Sequence, residues 1–568
     1  MKILTLHCDY INFKPLKKAL KSIEDLNEKE KTEKKINEPL VVLTAVEKGD
    51  TLESVDELVK NVMDIAKQVN VKNVVLYPYA HLSSNLASPD IAIKVLENAE
   101  KELKKSFDVS RAPFGYYKEF ELKVKGHPLS ELSREIKSEK KDKDSEDEKI
   151  DYKTLLREIS KSKLDTRKLK SNDHRILGQQ MDLFSFNDVA PGMVFWHNNG
   201  LIIKNELINF WREEHKKAGY EEISTPQIMD SKLWKISGHW DLYKENNFKT
   251  EYEKRPFLVK PMNCPGGILV YKNRPKTYKE FPIRVGELGV VHRVELSGVL
   301  AGLFRVIQFT QDDAHIFCTD EKQAEQEITG VISLIELFFK KFGFKYKFTL
   351  STRSEEKKDK YLGDDKYWNN AEGAIKKALN KSKIKFNETP GEAKFYGPSL
   401  DVQIKDSLGR EWQCSTIQFD AKLPERFDLE YTDKDNSKKR PIMLHRVIYG
   451  SLERFMGVLL EHTNGRLPTW LSPIQARIIN FTDRNTKACE KLKEIMENEG
   501  IRIDSDLRSI PLPGKIKEAE MMKIPYIIVV GDKEEKEGNI NVRKLGKMKN
   551  IKQDVFIEEL KKEIKERL

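Results

Sequence analysis

Apolar runs and helical patterns alternate at the start of the chain. Residues 3–6 (ILTL), 40–46 (LVVLTAV) and 74–77 (VVLY) are strand-like. A lysine-rich stretch after the first run and an amphipathic stretch before the third carry helical periodicity, so 1–136 reads as a compact α/β module. Residues 137–150 run KSEKKDKDSEDEKI, nearly all charged and without an apolar period. Such a stretch cannot bury a core, and 137–170 reads as a linker. The segment 171–471 carries most of the Trp, His and Gly-Pro punctuation and reads as the main domain. Within it 309–318 (FTQDDAHIFC) and 412–419 (WQCSTIQF) are strand-like, and 443–462 begins as a strand and continues as a helix burying Leu452, Phe455, Met456 and Leu459. The remainder, 472–568, alternates strand-like 478–481 and 526–530 with helical patterns such as 488–498 and ends in a charged helix. It reads as a second small α/β module. No repeat of solenoid period occurs.

Length and composition narrow the class. A chain of 568 residues suggests three or four domains at roughly 150 residues each. No apolar run approaches the roughly 18–20 residues of a membrane span, and residues 1–10 are too short and polar for a secretory signal, so the expectation is a cytoplasmic chain without membrane contact. The five cysteines (Cys8, Cys264, Cys318, Cys414, Cys489) are far apart with no CxxC pair. That excludes a disulfide framework and a zinc ribbon, and any metal must draw ligands from distant positions. A net charge of +10 suits a polyanionic partner without requiring one.

Three stretches could carry chemistry. A period of two puts Gln311, Asp313 and His315 on one face of the 309–318 strand, an amide, a carboxylate and an imidazole pointing the same way. Taken alone, this also reads as the hydrogen-bonded polar face of a sheet edge. In 412–419, strict alternation sends Gln413 and Gln418 to opposite faces, so both line one pocket only if the strand bulges. In 443–462, Ser451 begins the helix and Arg454 stands one turn in, where an anionic ligand such as a phosphate would dock. A surface salt bridge is the plainer reading of Arg454. With no GxxxxGK[ST] and no GxGxxG, a nucleotide would have to be held by arginines.

In order along the chain, these stretches resemble class II aminoacyl-tRNA synthetases, specifically the archaeal-type threonyl-tRNA synthetases. Residues 219–230 (GYEEISTPQIMD) match motif 1, whose proline, here Pro226, belongs to the family's dimer interface. Residues 237–248 (SGHWDLYKENNF) and 261–266 (PMNCPG) follow, 292–295 (HRVE) with 304–313 match motif 2, and 443–462 match motif 3. The resemblance implies an α+β multidomain protein: an N-terminal α/β editing domain related to D-aminoacyl-tRNA deacylases (1–136), the charged linker (137–170), an antiparallel class II catalytic sheet with helices (171–471) and an α/β anticodon-binding domain (472–568). It implies a homodimer acting on ATP, L-threonine and tRNA(Thr), with one Zn²⁺ per subunit and Mg²⁺ accompanying ATP.

Carried over residue by residue, Arg293 would hold the ATP α-phosphate and the amino-acid carboxylate, Glu295 would read the adenine amino group, and Phe309 would stack on adenine. Arg305 and Arg454 would contact the other phosphates, with Gln413 also on the ATP side. Gln311, Asp313, Tyr396, Gln418 and Ser451 would surround threonine. Arg293, Arg454, Gln311, Asp313 and Gln413 form the implied catalytic set. Cys264, His315 and His445 match the family's zinc ligands, although nothing local links those positions. One thiolate and two imidazoles leave a fourth tetrahedral position open, the arrangement of a functional zinc site.

The N-terminal resemblance rests on 6–11 (LHCDYI), 46–48, 77–84 (YPYAHLSS), 112–118 (APFGYYK) and 126–134 (GHPLSELSR). It maps hydrolysis of seryl-tRNA(Thr) onto His81, Tyr117, Lys118 and Glu131, with Glu47 as a further member. On their own, His81 reads as a capping or core histidine and Lys118 as a solvated side chain. None of the 11 histidines has another four positions away, unlike the HxxxH pair of bacterial editing domains. Ser399 follows the YGP turn where bacterial members usually carry a lysine, so that lysine's role does not transfer. In 523–543, Glu534 and Arg543 sit at the family's anticodon-reading positions, or are rim charges of an ordinary strand and loop. Two alternatives stand beside the main reading: a noncatalytic synthetase paralogue that binds tRNA, and a synthetase whose editing module has decayed.

Overall fold

The computed structural model describes residues 1–20, 23, 25–28, 30–83, 85–136, 152, 153, 156, 166, 167, 169–242 and 245–568. The charged stretch 137–150 expected to be a linker lies outside them, as do Ser84, Tyr243 and Lys244 of the motifs. The chain divides into two compact units, Met1–Ile150 and Asp151–Leu568.

The first unit is built on β1 (Lys2–Lys18), which pairs antiparallel with β2 (Lys34–Asn37) and β3 (Pro39–Ala45). From β3 the chain runs through α1 (Ser54–Gln68), β4 (Asn73–Pro78), α2 (Pro89–Leu103) and β5 (Asp108–Arg111), with β3, β4 and β5 parallel. The uninterrupted apolar run of β3 follows from burial on both faces. Strands β6 (Tyr116–Val124) and β7 (Glu131–Glu135) return to β1.

The lysine-rich stretch after the first strand is not helical among the described residues. It forms the second half of β1, a series of turns, and β2. Ile11, Phe13 and Pro15 are buried in alternation with less buried neighbours, and β6 pairs with β1 from Cys8 to Lys18 with a register shift between Pro15 and Lys17. That long-range ladder and period-two burial outweigh the helical preference of the lysines, and the irregularity lies next to the proline that cannot donate to a ladder.

The second unit centres on an eight-stranded sheet. In chain order its strands are β8 (Glu221–Glu222), β9 (Ile283–His292), β10 (Gln308–Cys318), β11 (Lys345–Thr352), β12 (Phe386–Pro390), β13 (Ser399–Lys405), β14 (Glu411–Asp420) and β15 (Ile442–Val447). In space the order is β8-β9-β10-β15-β14-β13-β11-β12, antiparallel from β9 to β11 with a parallel strand added at each edge. One face is covered by α3 (Asn198–Lys217), α5 (Glu321–Lys341), α6 (Asp365–Lys381) and α7 (Leu452–Thr463), which bury Phe210, Ile332, Ile375 and Phe455 against Ile316, Ile417 and Leu444. Helix α4 (Cys264–Lys272) packs elsewhere, with Val285, Phe317 and Met443. Leu452, Phe455, Met456 and Leu459 are buried as the helical spacing predicts.

The C-terminal part of this unit is a five-stranded sheet, ordered β17-β16-β18-β19-β20. Its strands are β16 (Ala476–Asn480), β17 (Ile503–Asp506), β18 (Tyr526–Val530), β19 (Asn539–Lys544) and β20 (Lys547–Lys552). Helices α8 (Thr486–Asn498), α9 (Leu512–Met521) and α10 (Gln553–Lys565) accompany it. Among the described residues, no helix is long and apolar enough to cross a membrane.

Candidate active site

The face of the large sheet opposite its helical cover carries the polar side chains. On β10, period two turns Gln311, Asp313 and His315 to this face and Asp312 and Ala314 to the other. His315 stands directly across from His445 on β15, and His445 across from Gln418 on β14. Cys264, the first residue of α4, completes the group, and the ligand atoms of Cys264, His315 and His445 lie within 4.8 Å of one another. Burial pushes the Cys264 thiol pKa well up and the His315 imidazole pKa well down. Among the described residues, His315 Nε2 is buried without a hydrogen-bond partner. His445 Nε2 lies 2.9 Å from Asp420 Oδ2, so a carboxylate orients the ring and leaves Nδ1 as its lone-pair nitrogen. That supporting arrangement is typical of a metal-ligating histidine. A soft thiolate with two imidazoles is a donor set that fits zinc.

Around this group, Asp313 Oδ2 lies 3.7 Å from His315 Nε2. Burial raises the Asp313 pKa, and the nearby His445 opposes the rise. The Tyr396 hydroxyl donates to Gln418 Oε1 at 3.0 Å, while Gln418 Nε2 and Gln311 Oε1 are buried and find no partner among the described residues. Buried polar atoms of this kind cost stability unless a ligand meets them. The bulge that Gln413 required is present: Ser415 pairs with Val402 and Gln413 with Gln403, making Cys414 the extra residue. Gln413 thereby joins the face of Thr416, its Nε2 donating to Asp401 Oδ1 at 2.7 Å and to Thr416 Oγ1 at 3.3 Å. Ser399, in the position after the YGP turn, donates to the same carboxylate.

The arginines border this face. Arg293 follows β9, with Nε 3.2 Å from the Pro261 carbonyl and its guanidinium 5.2 Å from the centre of the Phe309 ring. Arg305 and Glu295 pair with each other at 2.8 Å. Ser451 caps α7, accepting from Arg454 N at 3.2 Å, and Arg454 Nε donates to the Phe304 carbonyl at 3.0 Å. Arg454 therefore spends its side chain on a backbone carbonyl rather than on the surface salt bridge that was the plainer expectation.

Several supporting residues escaped the sequence reading. Asp312 is fully buried on the back face and accepts from three successive backbone N–H groups, of Ile448, Tyr449 and Gly450. Burial pushes its pKa up to about 7 against the pull of those bonds. The buried Lys260–Glu287 pair, 2.9 Å apart, holds Thr225 next to Pro226 through its hydroxyl and N–H. Asp312 had a usable signal, since a carboxylate turned toward a helical cover must find donors. Lys260 and Asp420 had none locally.

Three families match the sequence in order: the archaea-specific editing domain of threonyl-tRNA synthetase over 1–136, the class II tRNA synthetase core domain (G, H, P, S and T) over 248–463, and an anticodon binding domain over 475–567. A crystal structure of the RNA binding domain of threonyl-tRNA synthetase from Cryptosporidium parvum Iowa II is 36% identical, with a TM-score of 0.66 over 69% of this chain and 98% of that one. The chain belongs to the threonyl-tRNA synthetase family. A putative threonyl-tRNA synthetase from Aeropyrum pernix aligns with a TM-score of 0.63 at 29% identity, over 70% of this chain and 97% of that one. The threonine–tRNA ligase of Caldanaerobacter subterraneus is 50% identical over 397 residues, and that of Carboxydothermus hydrogenoformans 49% over 400. These alignments cover 70% of this chain, which spans 61–62% of the length of those curated relatives.

The first unit, which matches the editing domain, carries a cleft at the C-terminal ends of the parallel β3 and β4. Tyr77, Tyr79, His81, Tyr117 and Lys118 are among its lining residues. Lys118 is not a solvated side chain: Nζ donates to the Pro113 and Tyr116 carbonyls at 2.8 and 3.0 Å and sits 5.1 Å from the Tyr77 ring centre. Burial lowers its pKa to about 8. His81 is exposed in the short turn Ala80–Leu82, and Tyr117 is exposed. Glu47 is outside the lining residues, bridged to Leu86, hydrogen-bonded by Ser83 and paired with the N-terminal ammonium at 3.2 Å. Glu131 lies on β7 opposite Leu6, outside the residues that line the cleft. Beside the C-terminal sheet, Glu534 on the short helix Asp532–Glu537 and Arg543 on β19 line one cleft together with Phe481, Arg484 and Asn541.

Proposed function

We propose that this chain activates L-threonine with ATP and joins it to the 3′ end of tRNA(Thr), and that its N-terminal module removes serine mistakenly attached there. In this reading 1–136 edits, 137–170 links, 171–471 catalyses and 472–568 reads the anticodon, in a cytoplasmic homodimer. The observation that carries it is the convergence of Cys264, His315 and His445 with Asp313, Gln311 and Gln418 on one sheet face, bordered by Arg293 and Arg454.

The chemistry is positioning and charge neutralisation. The threonine carboxylate attacks the ATP α-phosphorus in line and pyrophosphate leaves; a ribose hydroxyl of the tRNA then attacks the carbonyl of the mixed anhydride, giving up its proton and expelling AMP, and Mg²⁺ accompanying ATP would offset charge on the phosphates. Arg293 holds the attacking carboxylate and the α-phosphate together, and Arg305 and Arg454 offset charge on the other phosphates. Adenine stacks on Phe309 with its amino group on Glu295, and Gln413 supports the ATP side. Opening the half-exposed Glu295–Arg305 pair costs little, since such pairs contribute about 0–1 kcal/mol. Cys264, His315 and His445 would hold the zinc ion, which when bound supplies a Lewis acid for the amino and hydroxyl groups of threonine. Asp313 accepts from that hydroxyl, while Gln311, Tyr396, Gln418 and Ser451 enclose the substrate. A site that satisfies a hydroxyl rejects valine by roughly 10⁴-fold, whereas the methyl that serine lacks is worth only about 10–200-fold. Serine therefore leaks through, which gives the cleft lined by Lys118, His81 and Tyr117 its task, with Glu47 and Glu131 as further members of the editing set outside the lining residues. Glu534 and Arg543 suit the edges of splayed anticodon bases.

The test is ATP-dependent charging of total tRNA from the same source with each of the 20 amino acids in parallel. Lasting threonine and no lasting serine is the expected result, lost on chelation and restored by zinc. No charging at all overturns the reading.

A further inference from the structure

Asp312 has no part in the chemistry just described, yet it sits between two residues that do. Its neighbours Gln311 and Asp313 face the amino-acid pocket, while its own side chain, 0% exposed, turns to the opposite side of the sheet. There Oδ2 accepts from Ile448 N and Tyr449 N, both at 3.0 Å, and Oδ1 from Gly450 N at 2.8 Å. These three residues are the turn between β15, which carries His445, and α7, which carries Arg454. Consecutive N–H groups converging on one carboxylate form a nest, and charge-assisted bonds of this kind are roughly twice as strong as neutral ones.

The turn is held from other sides as well. Ser415 Oγ donates to the Ile448 carbonyl at 2.6 Å. Gly450 has φ +78°, and a Cβ there would lie 2.7 Å from the Cys414 carbonyl, so the turn lies tight against the bulge of β14. Gln311 and Ser451 form a single antiparallel bridge, after which Ser451 caps α7 and Arg454 follows one turn later. The Asp312 carboxylate thus helps to set the distance between the pocket and the Arg454 guanidinium, beside the Gln311–Ser451 bridge and Glu453, which accepts from Thr310 N at 2.8 Å.

We infer that Asp312 is a positioning residue for amino-acid activation: it fixes Arg454, and with it the phosphates of ATP, relative to the threonine pocket. This deepens the proposed function and rests on it. The inference differs from a general role in stability because the three donors all lie in the turn that leads into α7, after β15 with its His445 has ended.

Asp312→Asn retains the shape and removes the charge. In threonine-dependent pyrophosphate exchange by the full-length, zinc-loaded protein, the expected result is a fall of about ten- to a hundredfold in kcat/KM for ATP, the penalty of a misplacement on the order of 1 Å. The KM for threonine and the bound zinc should stay within about threefold of wild type. The decisive measurement is a double-mutant cycle with Arg454→Ala. If Asp312 acts through Arg454, adding Asp312→Asn to Arg454→Ala costs less than about threefold further. Effects that multiply in full, or an equal rise in the KM for threonine and for ATP, overturn the inference while leaving the proposed function standing. Asp312→Glu, which retains the charge on a longer arm, takes the same place in the cycle if the amide variant does not fold. A wild-type protein that exchanges pyrophosphate with no amino acid overturns the proposed function and this inference with it.

Discussion

At the scale of single residues, the N-terminal cleft gives the sharpest expectation. Two of the three ammonium N–H groups of Lys118 are engaged by the Pro113 and Tyr116 carbonyls, which holds Nζ at the cleft with its third proton for a ligand. Burial disfavours the charged form and brings the pKa to about 8, so the ammonium that would stabilise an oxyanion is present below pH 8 and is lost above it. Hydrolysis of seryl-tRNA(Thr), corrected for spontaneous ester loss, should therefore be flat below about pH 7.5 and fall roughly tenfold per unit beyond 8. Lys118→Arg should move the fall beyond the accessible range, and Lys118→Ala should let seryl-tRNA(Thr) accumulate. A rate that rises through pH 8 would point instead to the neutral amine as a base. The residues of the catalytic face were unevenly legible. Period two along FTQDDAHIFC is by itself enough to bring Gln311, Asp313 and His315 to one face. The grouping of Cys264 with His315 and His445 has no local signature and rested on resemblance, because strand pairing across more than 100 residues joins the two histidines and a separate helix brings Cys264 to them. Asp420, Asp401 and Lys260 acquire meaning only through partners that the fold supplies.

At the scale of elements, the outcome turned on whether a pattern was local. Helix α7, with its serine cap and buried stripe, reads directly from its sequence, and so does the alternation of β10. The second half of β1 does not: its lysines favour a helix, and the ladder that makes it a strand comes from β2 over Tyr10–Phe13 and from β6, some hundred residues away, along its whole length. The bulge in β14 lies between these cases, since sequence alternation stated the condition for Gln413 and Gln418 to share a face and the register at Cys414 met it. The neighbouring YGP turn is equally constrained. A Cβ on Gly397 would lie 1.9 Å from the Phe419 carbonyl, a backbone atom that cannot swing aside. Gly397→Ala should push the turn off β14, separate Tyr396 from Gln418, and raise the KM for threonine while leaving that for ATP within about twofold. Strain of this kind costs about 1–3 kcal/mol, which a denaturant midpoint would register. Unchanged threonine kinetics would mean that Tyr396 does not contribute to the pocket through this turn.

At the scale of the whole molecule, composition marks the charged stretch after residue 136, whereas the attachments within the compact unit Asp151–Leu568 have no local signature. The C-terminal sheet is fastened to the catalytic part by two arginines far apart in its sequence. Arg502 donates through Nη1 to Glu206 on α3 at 2.9 Å and through Nε and Nη2 to the Ser472 carbonyl at 3.2 and 3.1 Å. Arg567 pairs at 2.5 Å with Glu213, further along α3 on the same side, and lies over Phe210 and Trp470. A single attachment would leave a hinge; two attachments to one helix fix an orientation. Charging requires the anticodon and the 3′ end of one tRNA to be engaged together, so a fixed orientation matters for charging and not for adenylate formation. Replacing both arginines by methionine retains most of their apolar volume and removes both attachments. Pyrophosphate exchange without tRNA should stay within about twofold, while kcat/KM for tRNA falls by about tenfold or more, as loss of preorganisation predicts. If exchange falls in parallel with charging, these arginines support the catalytic fold itself, because α3 also packs Phe210 and Trp211 beneath the sheet. If neither falls, the remaining contacts, among them the Thr469–Glu563 hydrogen bond and Lys341 Nζ on the Glu566 carbonyl, hold the C-terminal sheet, and the two arginines do not limit charging.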